Sequence, residues 1–182
     1  MLYSFQEYRS NPENRDIKCE FVNGELVEMP PESGLNADII DFLQDIFKQE
    51  IQKTNRDWFV RPGTVGVRTG VQKSRIPDLV IITKSQRQTL RNLPSAILEE
   101  PPLLVVEIVS PGNPEDDYRY KRSEYAALQI PEYWIVDPTE SKITVLEWLD
   151  GLYETQEFKE SKKLESPTFE GLDLTIDLVF SL

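Results

Sequence analysis

The chain has 182 residues, a length that suits one domain with a real core, and it is 39% hydrophobic and 29% charged, the ordinary balance of a globular protein. One cysteine, Cys19, and no histidine exclude intrachain disulfides, cysteine-rich zinc sites and every mechanism built on an imidazole, so catalysis would have to use carboxylates, Lys, Tyr, Ser or a hard cation held by oxygen. The net charge of -12 argues against a coat protein for nucleic acid, yet all of it lies in residues 92–182, and Arg56 to Arg91 carries eight basic residues against Asp57 and Asp78, a local face that a polyanion could use or that is simply solvated surface.

The start, Met1 to Glu7, lacks the basic-then-apolar pattern of a secretory signal, and no apolar run approaches the ~20 residues of a membrane span, so a cytoplasmic protein is expected. Leu2 to Arg9 reads as a short helix capped by Ser4. Ile17 to Met29 reads as a hairpin turning at Asn23-Gly24, the pair that tolerates positive φ. Asn36 to Lys53 carries Ala37, Ile39, Ile40, Leu43, Ile46, Phe47 and Ile51 at helical spacing, which predicts the longest helix. Trp58–Val60 and Thr64–Thr69 are β-rich and separated by Pro62-Gly63.

Asp78 to Thr83 and Leu103 to Val109 are apolar at nearly every position, as strands buried on both faces are. The long connection Lys84 to Pro102 between them calls for a function or a short helix of its own. After the turn cluster Ser110 to Pro114, Asp116 or Asp117 can cap a helix reaching about Leu128. Tyr133 to Asp137 is a short buried strand, Ile143–Leu149 and Leu152–Phe158 form a hairpin around Asp150-Gly151, and Gly171 to Leu182 alternates loosely against the sheet. The expectation is one α/β (α+β) domain over residues 1–182: a mixed sheet flanked by helices, with extra N- and C-terminal β-hairpins.

Asp78 adjoins one apolar run and Glu107 interrupts the other. If the two strands pair antiparallel with Thr83 near Leu103, Asp78 falls opposite Glu107 or Ile108, and two carboxylates converge at one end of the sheet. Such a pair is costly to bury unless a cation neutralises it. The structural alternative pairs Glu107 with Arg68 or Arg75 and leaves Asp78 as a strand start. Lys121 follows on the next helix, sharing a face with Tyr118, Tyr125 and Leu128, and would be partnered by these acids or else snorkel beside Arg119 and Arg122. Glu20, in the first hairpin, is a further acid that could reach the site or stay an exposed strand glutamate; Glu25 and Glu28 carry less signal still. There is no GxxxxGK[ST] or GxGxxG loop, and Glu115-Asp116-Asp117 lacks the spacing of a calcium loop.

Pro77-Asp78 followed about thirty residues later by Glu107-Ile108-Val109 resembles the PD-(D/E)XK nuclease superfamily, with Val109 where the lysine of the ExK element would stand. The longer pattern is more specific. Pro77-Asp78-Leu79-Val80, Val105 to Pro111, Lys121-x-x-x-Tyr125 and Pro131 to Pro138, with the hairpin Glu20 to Val27 and the ending Ser166 to Phe180, resembles the putative restriction endonuclease family, for long a domain of unknown function. The resemblance spans nearly the whole chain and implies a restriction-endonuclease-like core with the catalytic lysine moved to the following helix, here Lys121. Family members often carry a histidine opening the long helix, where this chain has Asn36, and a glycine ending the Lys121 helix, where it has Gln129.

The resemblance implies metal-assisted phosphodiester hydrolysis. Asp78, Glu107 and the Ile108 carbonyl oxygen would hold Mg²⁺ or Mn²⁺, Lys121 would orient water or stabilise the transition-state phosphate, and the stretch containing Arg68, Lys73 and Arg75 could hold the nucleic-acid backbone. Nucleic acid, DNA in the first instance, is the expected partner, no membrane is involved, and a homodimer is expected by analogy. The rival is a non-catalytic binding module on a nuclease-like fold, favoured by the net negative charge and by Val109.

Overall fold

The computed structural model describes residues 2–10 and 17–182. Helix α1 (Phe5–Ser10) begins with a reciprocal cap: the Ser4 hydroxyl accepts from the Glu7 N–H, and the Glu7 carboxylate accepts from the Ser4 N–H at 2.7 Å. Strands β1 (Cys19–Val22) and β2 (Glu25–Glu28) pair antiparallel, with Asn23 at φ 54° and Gly24 at φ 86° making the turn. Helix α2 (Gly34–Lys53) starts where the Ser33 hydroxyl accepts from the Asn36 N–H. Its inward stripe is Asn36, Ile39, Leu43, Phe47 and Ile51; Ala37, which the spacing placed on that stripe, is exposed.

The strands form two sheets rather than the single sheet expected. The larger runs in the order β11-β10-β9-β8-β6-β3, with β3 (Trp58–Pro62), β6 (Leu79–Thr83), β8 (Leu104–Ile108), β9 (Glu132–Asp137), β10 (Lys142–Leu149) and β11 (Leu152–Lys159). The C-terminal hairpin is therefore part of this sheet. The smaller runs β2-β1-β5-β4-β7, adding β4 (Gly66–Gly70), β5 (Lys73–Arg75) and β7 (Ile97–Leu98). The long connection carries helix α3 (Lys84–Arg91) as well as β7.

In the larger sheet every neighbouring pair is antiparallel except β8–β9, whose parallel pairing needs a crossover. That crossover is a π-helical segment (Asp116–Lys121) running into α4 (Arg122–Ala127). Alternation splits the sheet into two apolar faces. Leu79, Ile81, Leu104, Val106, Trp134 and Val136 meet α2 and the C-terminal segment through Phe169, Leu172 and Leu174. Val80, Ile82, Val105, Val109, Tyr133 and Ile135 meet Tyr125 of α4 and Val65, Val67 and Leu98 around the smaller sheet. The tail packs against the sheet as its loose alternation suggests and carries a short helix, α5 (Ile176–Phe180), with Ile176 and Val179 buried. Among the described residues no helix is long and apolar enough to cross a membrane.

Candidate active site

The antiparallel pairing of β6 with β8 sets Leu79 opposite Val106 and Val80 opposite Val105. Continuing by one residue sets Asp78 opposite Glu107, as the two apolar runs predict, and parity puts both on the face that meets α4. There the Ile108 N–H donates to Asp78 Oδ2 at 2.7 Å. The parallel crossover returns over the same face and brings Lys121 and Tyr125 down onto Glu107: Lys121 Nζ donates to Glu107 Oε2 at 3.0 Å, and the Tyr125 hydroxyl donates to Oε1. The arrangement is buried, Glu107 to 1% exposure and Lys121 to 7%.

The helix carrying Lys121 differs in detail from its prediction. Residues 114–115 are already helical, so neither Asp116 nor Asp117 caps it. The π-helical turn then turns Asp117 inward, where its Oδ1 lies 2.8 Å from Lys121 Nζ, and the Tyr133 hydroxyl on β9 donates to the Asp117 carbonyl oxygen at 3.0 Å. Asp117 is a site residue that sequence reasoning missed; its one signal was the i,i+4 spacing to Lys121. Lys121 is therefore an inward lysine held between two acids, and the snorkelling alternative falls.

Glu20 is the clearest departure. It is buried rather than an exposed strand glutamate: Oε1 accepts from the Ile76 N–H at 3.0 Å and Oε2 from Arg75 Nη1 at 2.8 Å. The same Arg75 grips Glu124 of α4 through Nε at 2.9 Å and Nη2 at 3.0 Å, and Glu124 also accepts from Thr69 and Lys73. Arg75, expected on a nucleic-acid-binding surface, is an internal tie between β1, β5 and α4 whose guanidinium is turned onto carboxylates. Lys73 and Arg68 are half-buried. Lys73 is bonded to Glu124; Arg68 lies over the Phe5 ring, bonded to Glu99 and the Gly70 carbonyl oxygen. Neither Arg68 nor Arg75 pairs with Glu107 among the described residues, so the structural alternative for Glu107 is not what forms.

A cavity of about 290 Å³ opens at this end of the sheet, and Glu20, Asn36, Asp78, Ile108, Asp117 and Lys121 are among its walls, with Glu28, Glu32 and Asp116 also on them. Glu107 lies behind the wall, reached through Lys121. Acids outnumber bases here, and the carboxyls respond. Burial pushes Asp78 up to about 6, against the Ile108 N–H and Lys121 that favour its charge. Burial, then the neighbouring acids, raise Glu107, and Asp117 rises for the same reason, both opposed by Lys121. Burial works against the Lys121 ammonium, but Glu107 and Asp117 more than offset it and hold it charged. Burial thus disfavours the charged carboxylates, a cost that a divalent cation would offset. Among the described residues no three Asp, Glu or Cys side chains already converge as a metal cage. The donors available to a cation are oxygen only, which suits Mg²⁺ or Mn²⁺.

No curated protein matches the chain. One similar solved structure is a crystal structure described as "a putative nuclease belonging to DUF820" from Anabaena variabilis ATCC 29413, which is 22% identical; the match covers 90% of this chain and 89% of that one at a TM-score of 0.73, and so shows a shared fold. The model of the Uma2 family, described as "Putative restriction endonuclease", matches residues 5–177. Over that span, which takes in the Asp78–Glu107 strand pair, the crossover with Lys121 and the C-terminal hairpin, the chain belongs to the Uma2 family.

Proposed function

We propose that this chain is a metal-dependent nuclease hydrolysing phosphodiester bonds of nucleic acid, with DNA as substrate, residues 1–182 acting as one domain and two copies working as a homodimer on two strands. The observation that supports this best is the convergence of Asp78, Glu107 and Lys121 from the start of β6, β8 and the crossover helix at one end of the sheet, with Asp78 and Lys121 on the wall of an acid-lined cavity and Glu107 just behind it. Asp78, Glu107 and the Ile108 carbonyl oxygen would hold Mg²⁺ or Mn²⁺, which when bound would polarise the phosphate and lower the pKa of a water.

The residues of the chain do the rest. Lys121, fixed between Glu107 and Asp117, presents a permanent positive charge toward the phosphate as negative charge builds in the transition state. Glu20 lines the cavity and would contribute a further acid there, while its bonds to Arg75 and the Ile76 N–H hold the first hairpin against the site. Tyr125 anchors the inner oxygen of Glu107. The acidic walls repel a polyanion without a cation, so binding and catalysis should both depend on the metal.

A second reading has its own support. Both Glu107 oxygens are engaged by Lys121 and Tyr125, an arrangement complete without metal, as an inert nuclease-like module would have. Mn²⁺ calorimetry on wild type, Asp78→Asn and Glu107→Gln, with supercoiled-plasmid nicking in parallel, separates the two. Heat and nicking lost in both variants support the nuclease. A wild type that neither binds Mn²⁺ nor nicks DNA refutes it.

A further inference from the structure

Lys121, Asp78, Glu20 and Asp117 all spend polar atoms on protein partners: Lys121 on Glu107 and Asp117, Asp78 on the Ile108 N–H, and Glu20 on Arg75 and the Ile76 N–H. Asn36 does not. It stands in the first turn of α2, its N–H bonded to the Ser33 hydroxyl, and is buried to 4% exposure; the other buried polar residue of this helix, Glu50 near its far end, is bonded to Lys53. Among the described residues its carboxamide has no hydrogen-bond partner, although it lines the cavity beside Asp78 and Lys121. The carboxamide is not sealed off: its polar atoms reach the space of the cavity, where water or a ligand can meet them. An unmet donor in the wall of a pocket points to a group that arrives from outside.

The surroundings say which kind of group. α2 runs for 20 residues with no acid in its first turn, and Glu32, just before the Ser33 cap, lines the cavity beside it. The Gly34 and Leu35 N–H groups, ahead of the capped Asn36 N–H, have no acceptor among the described residues, and nothing lies within 4 Å of where a Gly34 side chain would begin. The Asn36 side chain and Lys121 line one small space, with the start of α2 at its rim through Ser33; Lys121 is already held by Glu107 and Asp117, and the Asn36 NH₂ is the donor there without an acceptor among the described residues. A phosphate offers acceptors only.

We propose that Asn36 is a substrate contact: its Nδ2 donates to a non-bridging oxygen of the phosphodiester held at the Asp78–Lys121 pocket, with the start of α2 facing the same phosphate. This rests on the nuclease reading, since the phosphate enters the acidic cavity only with its cation. Asn36 then fixes which phosphate oxygen faces Lys121, and so the orientation of the scissile bond.

The test uses the full chain, wild type and Asn36→Leu, which matches the side chain in size and removes the donor; Asn36→Ala serves should the leucine variant not fold. Three quantities are read: Tm, the heat of Mn²⁺ binding, and the anisotropy of a short fluorescein-labelled DNA duplex in Ca²⁺, alongside plasmid nicking in Mg²⁺. The expected result is an unchanged or higher Tm, unchanged Mn²⁺ binding, and duplex affinity and nicking each reduced about tenfold or more, the effect of one hydrogen bond to a charged group. A structural role would instead lower Tm and weaken everything together, and that result overturns the inference. Duplex affinity and nicking equal to wild type also overturn it and leave the nuclease reading intact. A wild type that neither binds nor nicks DNA removes the nuclease reading, and this inference with it.

Discussion

Asp78 offers a direct test of whether the site is strained by its own charge. Its carboxyl is pushed by burial from an ordinary 3.8 up to about 6. Below about pH 4 the group is protonated in both the folded and unfolded chains and has no effect on stability. Between pH 4 and 6 the unfolded chain releases the proton while the folded chain keeps it, so this contribution to stability is lost as pH rises and is gone above the folded value. A shift of this size corresponds to about 3 kcal/mol. Asp78→Asn removes the titration and keeps an oxygen to accept from the Ile108 N–H. The variant should therefore gain on wild type by about 3 kcal/mol between pH 4 and pH 7.5, or about 6–12 °C in Tm for a chain of this length. Urea denaturation of both proteins at several pH values measures the gap. A gap that stays constant with pH refutes the argument, because burial would then not be acting on the charge. Mg²⁺ at pH 7.5 should narrow the gap by stabilising the wild type alone.

Other perturbations test the surroundings of the site. Lys121→Met leaves Glu107 and Asp117 facing each other without the ammonium, and should cost about 3–5 kcal/mol at pH 7.5 but less as pH falls and those carboxyls take up protons; chemical denaturation across a pH series reads this. Arg75→Met strands the buried carboxylates of Glu20 and Glu124 and should destabilise by a similar about 3–5 kcal/mol, and Arg75→Lys should restore little, because an ammonium cannot make the two-pronged contact with Glu124. Gln129 sits at φ 57° where the helix ends, so Gln129→Gly should raise stability by about 1 kcal/mol, visible as a higher Tm with unchanged Mn²⁺ binding.

What the sequence disclosed was local, or a matter of strand parity. Asn23-Gly24 and Asp150-Gly151 announce their hairpins because positive φ selects those residues, and all four adopt it. The apolar runs around Asp78 and Glu107 give both strands, and alternation with a period of two makes their register nearly forced, so the carboxylate pair is legible in the residues alone. β5 is not: Lys73-Ser74-Arg75 has no apolar signature and is a strand only because β1 and β4 flank it. The burial of Glu20 was hidden for a related reason. What brings it inside is Arg75, 55 residues away, and composition cannot show which arginine turns inward. The π-helical turn was equally silent: the face read through Tyr118, Lys121 and Tyr125 left out Asp117, and Tyr118 instead bonds Asp137.

The lysine's place in the chain has a packing reason. Along β8 and the residue after it, Val105, Glu107 and Val109 alternate onto one face, and Val109 fills core there with Tyr125 and Ile135. A lysine at 109 would have to cross that apolar layer to reach the cavity, with its charge desolvated along the way. From the crossover helix, Lys121 approaches the same Glu107 oxygen from above, meets Asp117 at the same time and emerges at the cavity wall. The parallel β8–β9 connection compels that helix to cross the Glu107 face. One topological requirement therefore supplies both the cover for the buried glutamate and the cation beside it, and leaves the strand position free for packing.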